Sequence, residues 1–232
     1  MVPAGQFVMG ALKRDSLARD TEKPAHNVDI THVLLVMKYP VTQELYTQLI
    51  GQNPSQFKDP NAPVECISWY DAIAFANALS QANGLQPAYA INGTEVDWNA
   101  EADGWRLPTE AEWEYCARGG AYHLYAGSDT ISSVAWYTEN SNSTSPVGQK
   151  QANGFGIHDM SGNVLEWCWD RWKREYRKYA AFDPVGPDRG STRIVRGGGW
   201  NNSASLMRLS ARNSLKPGIR FNGLGCRLVR TV

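Results

Sequence analysis

The C-terminal tail limits what this chain can fold into more than any other stretch. Between residues 193 and 228, a set of posts (Arg196, Gly197, Gly198, Trp200, Arg208, Arg212, Leu224, Gly225 and Arg227) is separated by Asn, Ser, Ala, Leu, Gly, Ile and Phe. The filling repeats at neither about 3.6 nor about 2.0 residues, the periods of a helix face and a strand face. A disordered tail would lack the tryptophan and the apolar residues. A loop-rich surface held by a frame fits this pattern, and loops on rigid frames carry function.

The rest of the chain supports a frame of that kind. Nine Trp and ten Tyr stand among 21 Gly and 12 Pro, so aromatic anchors must pin many loops and long helices are not expected. The charges balance at 23 basic and 23 acidic residues with no basic run, which argues against a nucleic-acid partner. No apolar run reaches the about 18 residues of a membrane span. Residues 1–10 show no charged start and no long apolar stretch, so no signal peptide is expected in this chain. Cys66, Cys116, Cys168 and Cys226 form no CxxC pair, which disfavours zinc. They read as mostly buried free thiols, with a Cys116–Cys226 disulfide as the open alternative.

Local signals place the elements. Strands are expected over residues 1–10 and over Val28 to Met37. Helices are expected from Gln43 to Ile50 after Thr42, from Ser68 to about Asn83, and from Thr109 to about Ala117, where Thr109 and Glu112 form a capping box. Asn92-Gly93 marks a hairpin between Tyr89 and Trp98. Residues 119–155 and 170–192 read as loops. With no internal repeat and no low-complexity linker, one domain over residues 1–232 is expected.

Seven ordered blocks then carry a resemblance: Phe7 to Gly10, Pro63 to Ala72, Trp105 to Tyr115, Gly154 to Gly156, Met160 to Trp167, Arg196 to Gly198, and Leu224-Gly225. Together they resemble the formylglycine-generating-enzyme (sulfatase-modifying factor) domain, a variant of the C-type-lectin-like fold. The resemblance implies an α+β fold, loop-rich with short strands and few short helices. Arg106 and Arg118 beside a Glu-rich helix suggest arginine–carboxylate pairs that fix loops lacking backbone ladders.

Enzymes of that family oxidise a cysteine with copper(I) held by two cysteines that follow the Gly-Gly pair. Those positions fall here on Asn202 and Met207. Soft thiolates suit copper(I), and an amide with one thioether does not replace them. No copper and no oxidase activity are therefore expected. A related branch holds iron through clustered histidines, a spacing that His26, His32, His123 and His158 lack. The serine-nucleophile and phosphate-loop motifs are also missing.

The tail instead resembles the variable region of diversity-generating retroelement proteins. In that class, asparagine codons are altered at their adenines. Val195, Ser203, Ser205, Leu206, Ala211, Ser214, Leu215, Gly218, Ile219, Phe221 and Gly223 occupy such slots, and each is reachable from an AAC codon by changing adenines alone. Asn201, Asn202, Asn213 and Asn222 read as unconverted slots, while Lys216 and Met207 are not reachable. Cys226 stands where that class usually has Phe.

The resemblance implies a ligand-binding protein, with residues 193–228 as its variable region and the eleven converted slots, together with Asn202 and Asn222, as the ligand contacts. The slots are expected on one exposed face, with the posts turned inward. The partner would be an unidentified protein or surface ligand, and the location the cell surface or another extracytoplasmic site. A copper-dependent oxidase and a non-diversified binding or regulatory member are the competing readings. A structural calcium is also implied, at Asp159 and Glu166 through side chains and at Gly162 and Val164 through carbonyls. Oxygen-only ligation on a short turn suits calcium. The alternative is that amides or arginine satisfy both carboxylates.

Overall fold

The computed structural model describes residues 1–176 and 178–232. The strands are β1 (Gly5–Met9), β2 (His26–Ile30), β3 (Leu34–Val36), β4 (Tyr89–Asn92), β5 (Glu95–Trp98), β6 (Leu165–Arg171), β7 (Ala181–Phe182), β8 (Arg193–Arg196), β9 (Asn213–Leu215), β10 (Leu224–Gly225) and β11 (Val229–Thr231). The helices are α1 (Gln43–Ile50), α2 (Trp69–Ala82), α3 (Glu110–Arg118) and α4 (Ile131–Val134). The arrangement is the expected loop-rich α+β fold.

Helix starts follow from their caps. The Thr42 side chain accepts the Leu45 amide, and Gly51 closes α1 in the left-handed region at φ 83°. Capping boxes open α2 through Ser68 and Asp71 and α3 through Thr109 and Glu112. Each reciprocal pair satisfies two amides that the helix leaves open.

The strands depart from the expectation where pairing is non-local. The run from Val28 to Met37 is cut in two, because β2 lies between β1 and β7 whereas β3 pairs with β11. The stretch 170–192 contains β7, which runs parallel to β2, and the stretch 119–155 contains α4.

A four-stranded sheet of order β10-β6-β8-β9 forms the centre. Successive strand residues point to opposite faces. Leu165, Trp167 and Val195 turn to a core with α1 and α2, around Tyr46, Trp69, Ile73 and Phe75. Cys168 and Ile194 turn to a second core with α3, β1 and β2, around Phe7, Val28, Trp113 and Met160. Both faces are covered, which is why β6 shows no apolar–polar alternation. Buried indoles packed on it find acceptors on β6 itself: Trp69 of α2 donates to the Cys168 carbonyl at 3.1 Å and Trp113 of α3 to Glu166 at 2.7 Å. A buried tryptophan normally needs such an acceptor. All four cysteines are free, so the disulfide alternative does not apply.

Every residue of α3 is buried, including three glutamates. Arg106 meets Glu112 at 2.6 Å, Arg212 meets Glu110 at 2.6 Å, and Glu114 takes both Arg118 and Arg196. Isolated buried charges would be prohibitive, and paired, hydrogen-bonded ones are tolerated. Glu114→Ala leaves two buried guanidinium groups without their carboxylate. Its expected cost in urea unfolding is about 3–5 kcal/mol; a loss below about 1 kcal/mol would show that the pair is not holding the helix.

Burial alone would raise the Glu112 carboxyl. Arg106, His32 and the Thr109 amide outweigh burial and hold it at about 2, against 4.5 for a free glutamate. A carboxyl depressed by folding stabilises the native state above its unfolded value and loses that contribution as pH falls. The Glu112 share is present above pH 4.5 and disappears between pH 4.5 and about 2. Glu112→Gln should therefore show a lower melting temperature at neutral pH and a shallower fall across this window. An unchanged slope would contradict the assignment.

Candidate ligand-binding surface

The tail is held by its arginines. From β8, Arg196 donates to the Leu209 and Ala211 carbonyls at 2.8 Å each and reaches Ser210 at 3.2 Å, while its other side meets Glu114. One guanidinium thus replaces a strand ladder for three residues. Arg208 forks onto both Glu22 oxygens at 2.7 Å and also pairs with Asp15. Arg212 forks onto Glu110 at 2.6 Å. Arg227 takes Glu166 at 2.9 Å and the carbonyls of Met37 and His158. Planar forks of this kind fix direction as well as distance. The glycines allow close approach. A Cβ on Gly198 would stand 2.5 Å from the Met207 methyl, and one on Gly197 3.1 Å from the Trp113 ring. The Gly-Gly pair therefore accommodates Trp113 and Met207.

Behind this frame the tail encloses a pocket of about 160 Å³. Six expected contact residues line it: Val195, Asn202, Leu206, Ala211, Leu215 and Phe221. Ser203, Gly218 and Ile219 lie outside it and are exposed, Ile219 at 41%. Ser205, Ser214 and Asn222 are half-buried. Leu215 and Phe221 are also half-buried and rest on the α2 core from outside.

Three expectations need correction. Val195 is fully buried, because β8 is an inner strand and pairs it with Trp167 on one side and Asn213 on the other. Ala211 is buried, with its carbonyl taken by Arg196. Gly223 is buried, and a Cβ there would stand 3.1 Å from Asn201 and 3.4 Å from the Phe221 ring. Val195 and Ala211 form the pocket's floor, and none of the three belongs to an exposed face.

Other parts of the chain complete the surface, and the tail sequence gave no sign of them. Arg220 forks onto Asp71 at 2.7 and 2.9 Å, across 149 residues. Asp71 already serves in the α2 capping box, so one carboxylate ties the loop to a helix start. Burial would raise the Asp71 carboxyl, but Arg220 and Ser68 hold it below its usual value. The Trp69 amide donates to the Pro217 carbonyl and the Cys66 amide to the Phe221 carbonyl, at 3.0 and 3.1 Å. Trp200 donates to the Asn222 carbonyl at 2.6 Å and meets the edge of Phe57 at 5.3 Å, while the Asn222 amide reaches Gln56 at 3.1 Å. Gln56 and Phe57 are thus a second wall. The Asp71 capping box was the only signal that could have been read in advance.

The metal expectations divide. Copper does not fit. Asn202 accepts the Gly199 amide at 3.0 Å, and Met207 is buried in an apolar cluster with Tyr125 and Val134. Burial and Glu65 push the half-buried Cys66 thiol up to about 11, away from the thiolate form. The calcium quartet does not fit as drawn either. Both Glu166 oxygens are engaged by Arg227 and by Trp113. Asp159 accepts the Gly148 amide at 2.7 Å and keeps one buried oxygen without a partner, and burial raises its carboxyl. Gly162 and Val164 could add only carbonyls to that single oxygen, short of the about six to eight oxygens calcium takes.

Comparison with known proteins places this geometry. The model of the sulfatase-modifying factor enzyme 1-like domain matches residues 1–232. Treponema denticola variable protein 1 superposes with a TM-score of 0.90 at 32% identity, covering 100% of this chain and 94% of that one. Chaperone protein LppX of Paenibacillus barcinonensis is 38% identical over 224 residues, 81% of this chain and 75% of its own length. The formylglycine-generating enzyme of Streptomyces coelicolor is 34% identical over 188 residues, 72% of this chain and 52% of its own length.

The burial pattern sets the stability cost of each tail residue. Ile219→Ala, at an exposed site, should change stability by no more than about 0.5 kcal/mol. Phe221→Ala should cost roughly half of the about 3–5 kcal/mol of a fully buried phenylalanine. Equal costs in chemical denaturation would mean that the loop is packed differently.

Proposed function

The chain belongs to the sulfatase-modifying factor enzyme 1-like family, and we propose that it is a ligand-binding member without oxidase activity, its residues 193–228 diversified by a retroelement. One observation carries this reading. Six of the residues expected as ligand contacts line one pocket, while Arg196, Arg208, Arg212 and Arg227 are buried in carboxylate pairs. Residue identity can change at the pocket while the groups that hold the backbone stay constant. The likeness to a treponemal variable protein over the whole chain supports the reading.

The binding mechanism follows from the pocket. Leu206, Leu215 and Phe221 offer an apolar seat, with Ser203, Ser205 and Asn222 beside it as hydrogen-bonding groups. An apolar centre with an adaptable polar border is what antibody loops use. The loop is tied at Pro217, Arg220, Phe221 and Asn222 before any partner arrives, which limits the ordering cost of binding. The partner is a protein or another surface-borne ligand, met at the cell surface or elsewhere outside the cytoplasm.

The formylglycine-generating relatives are enzymes, and the position of their copper thiolates is where the two readings part. Asn202 and Met207 occupy those positions. A displayed library randomised at 203, 205, 206, 214, 215, 218, 219, 221 and 222 should stay folded in most members and yield binders to unrelated proteins. Broad misfolding would defeat the proposal, as would tight copper(I) uptake with turnover of a cysteine peptide. Sequencing the gene's surroundings should reveal a reverse transcriptase beside an asparagine-rich near-copy of its 3′ end.

A further inference from the structure

A second and larger cavity, about 490 Å³, lies between the N-terminal turn of α3, the end of β6 and the 179–187 segment carrying β7. The tail surface does not use it. Asp170 lines it and is only 4% exposed. One Asp170 oxygen accepts the Glu110 amide at 2.8 Å, and the other accepts no hydrogen bond among the described residues. The arginines lining the cavity are committed elsewhere. Arg212 is taken by Glu110 at 2.6 Å, and Arg171 donates to the Gly190 carbonyl at 2.7 Å. Burial and the Glu110 and Glu112 carboxylates push the Asp170 carboxyl far above its usual range, against the Glu110 amide and Arg212.

Two further features surround that acid. Gly186 lies over it, and a Cβ there would stand 2.9 Å from the open oxygen, so a residue without a side chain leaves that oxygen uncovered. The walls are aromatic. Tyr176 tilts against His26 at 4.9 Å, and Tyr179 and Phe182, which also line the cavity, are 82% and 71% exposed. The Tyr176 ring already carries the Arg212 guanidinium at 4.0 Å, so the free rings are those of Tyr179 and Phe182. A buried acid with no salt-bridge cation among the described residues, beside those exposed rings, is the chemistry that recognises an alkylammonium group. An anion would meet two carboxyls there. A neutral apolar ligand would leave the acid unanswered.

We propose that this cavity is a second binding site, for the ammonium group of a small organic amine, with Asp170 as its counter-ion and Tyr179 and Phe182 as its aromatic wall. Asp170 gives its proton to water as the ammonium enters, and the carboxylate then pairs with the bound cation. The other charged or titratable groups around it are Glu110 and Glu112 from α3, Arg212 from the tail, Arg171 at the end of β6, Lys173, Glu175, Tyr176 and Tyr179 after it, Asp183 after β7, and His26 from β2.

The test is calorimetric titration of the full chain with choline and with 3,3-dimethyl-1-butanol, its uncharged carbon isostere. Choline should bind at least about tenfold more tightly than the isostere, the equivalent of one well-placed charge contact. Its binding should release a proton, seen as a heat that changes with the buffer's ionisation enthalpy. Asp170→Asn keeps an oxygen for the Glu110 amide and should weaken choline at least about tenfold. Phe182→Ala, at an exposed side chain, should fold normally and weaken choline severalfold. Flotation with phosphatidylcholine but not phosphatidylglycerol vesicles would assign the ammonium to a lipid headgroup, and choline binding without flotation would assign it to a free amine. Equal binding of choline and its isostere, full choline affinity in Asp170→Asn, or no binding up to about 10 mM would overturn the proposal.

Discussion

The buried carboxylates of α3 are what the rest of the structure depends on. Glu110, Glu112 and Glu114 sit within one nine-residue helix and draw in arginines from three distances along the chain. Arg118 comes from the same helix, Arg106 from the segment just before it, and Arg196 and Arg212 from the tail. A carboxylate in such surroundings must be paired or protonated. Pairing therefore ties the first strands, the central sheet and the tail to a single element. Hydrophobic packing supplies the driving force, but it does not dictate where an irregular backbone goes. The guanidinium forks do, because each fixes a plane from which Arg196 and Arg212 reach three carbonyls apiece.

That arrangement explains how a binding surface can be irregular without being loose. A free loop of this length would lose conformational entropy on meeting a partner. Here the loss is taken during folding. The Arg220 fork, the amides of Cys66 and Trp69, and the Trp200 indole hold the loop at successive residues. None of these tethers uses a pocket-lining side chain as a donor. The tethers at Pro217, Phe221 and Asn222 end on backbone carbonyls, so the side chains at 221 and 222 can change without removing those tethers.

Local chemistry was legible in the sequence, and long-range pairing was not. Thr42, Ser68 and Thr109 announced three helices because a cap acts within four residues. The split between β2 and β3 could not be seen, since it depends on β11 and β7 from the other end of the chain. Glu22 and Asp15 carry no local signal of a partner, yet they neutralise Arg208 some 190 residues away. Glu166 had the chemistry of a metal ligand, and only Arg227 and Trp113 in place around it make it a structural anion. At the tail, a period-free filling did not record the depth of each residue. Val195 and Ala211 belong to the same codon class as Ile219, and burial depends on strand position, which codon class does not record.

That difference in depth limits how freely the surface can vary. At Ile219 or Ser203, nearly any side chain meets water, and surface changes cost no more than about 0.5 kcal/mol. At Val195, between β6 and β9, an unpaired polar group would cost about 1–3 kcal/mol, a large part of a domain's about 5–15 kcal/mol. At Gly223 even a methyl group would press on the Asn201 side chain at 3.1 Å, and the Phe221 ring at 3.4 Å leaves little room beyond it. If diversification acts evenly on all these codons, folding would filter its products unevenly. The border would accept most outcomes, and the floor only small or apolar ones. An apolar floor would then persist under a changing border even though nothing in the mutational chemistry favours it, because the inner strand of the sheet rejects the alternatives.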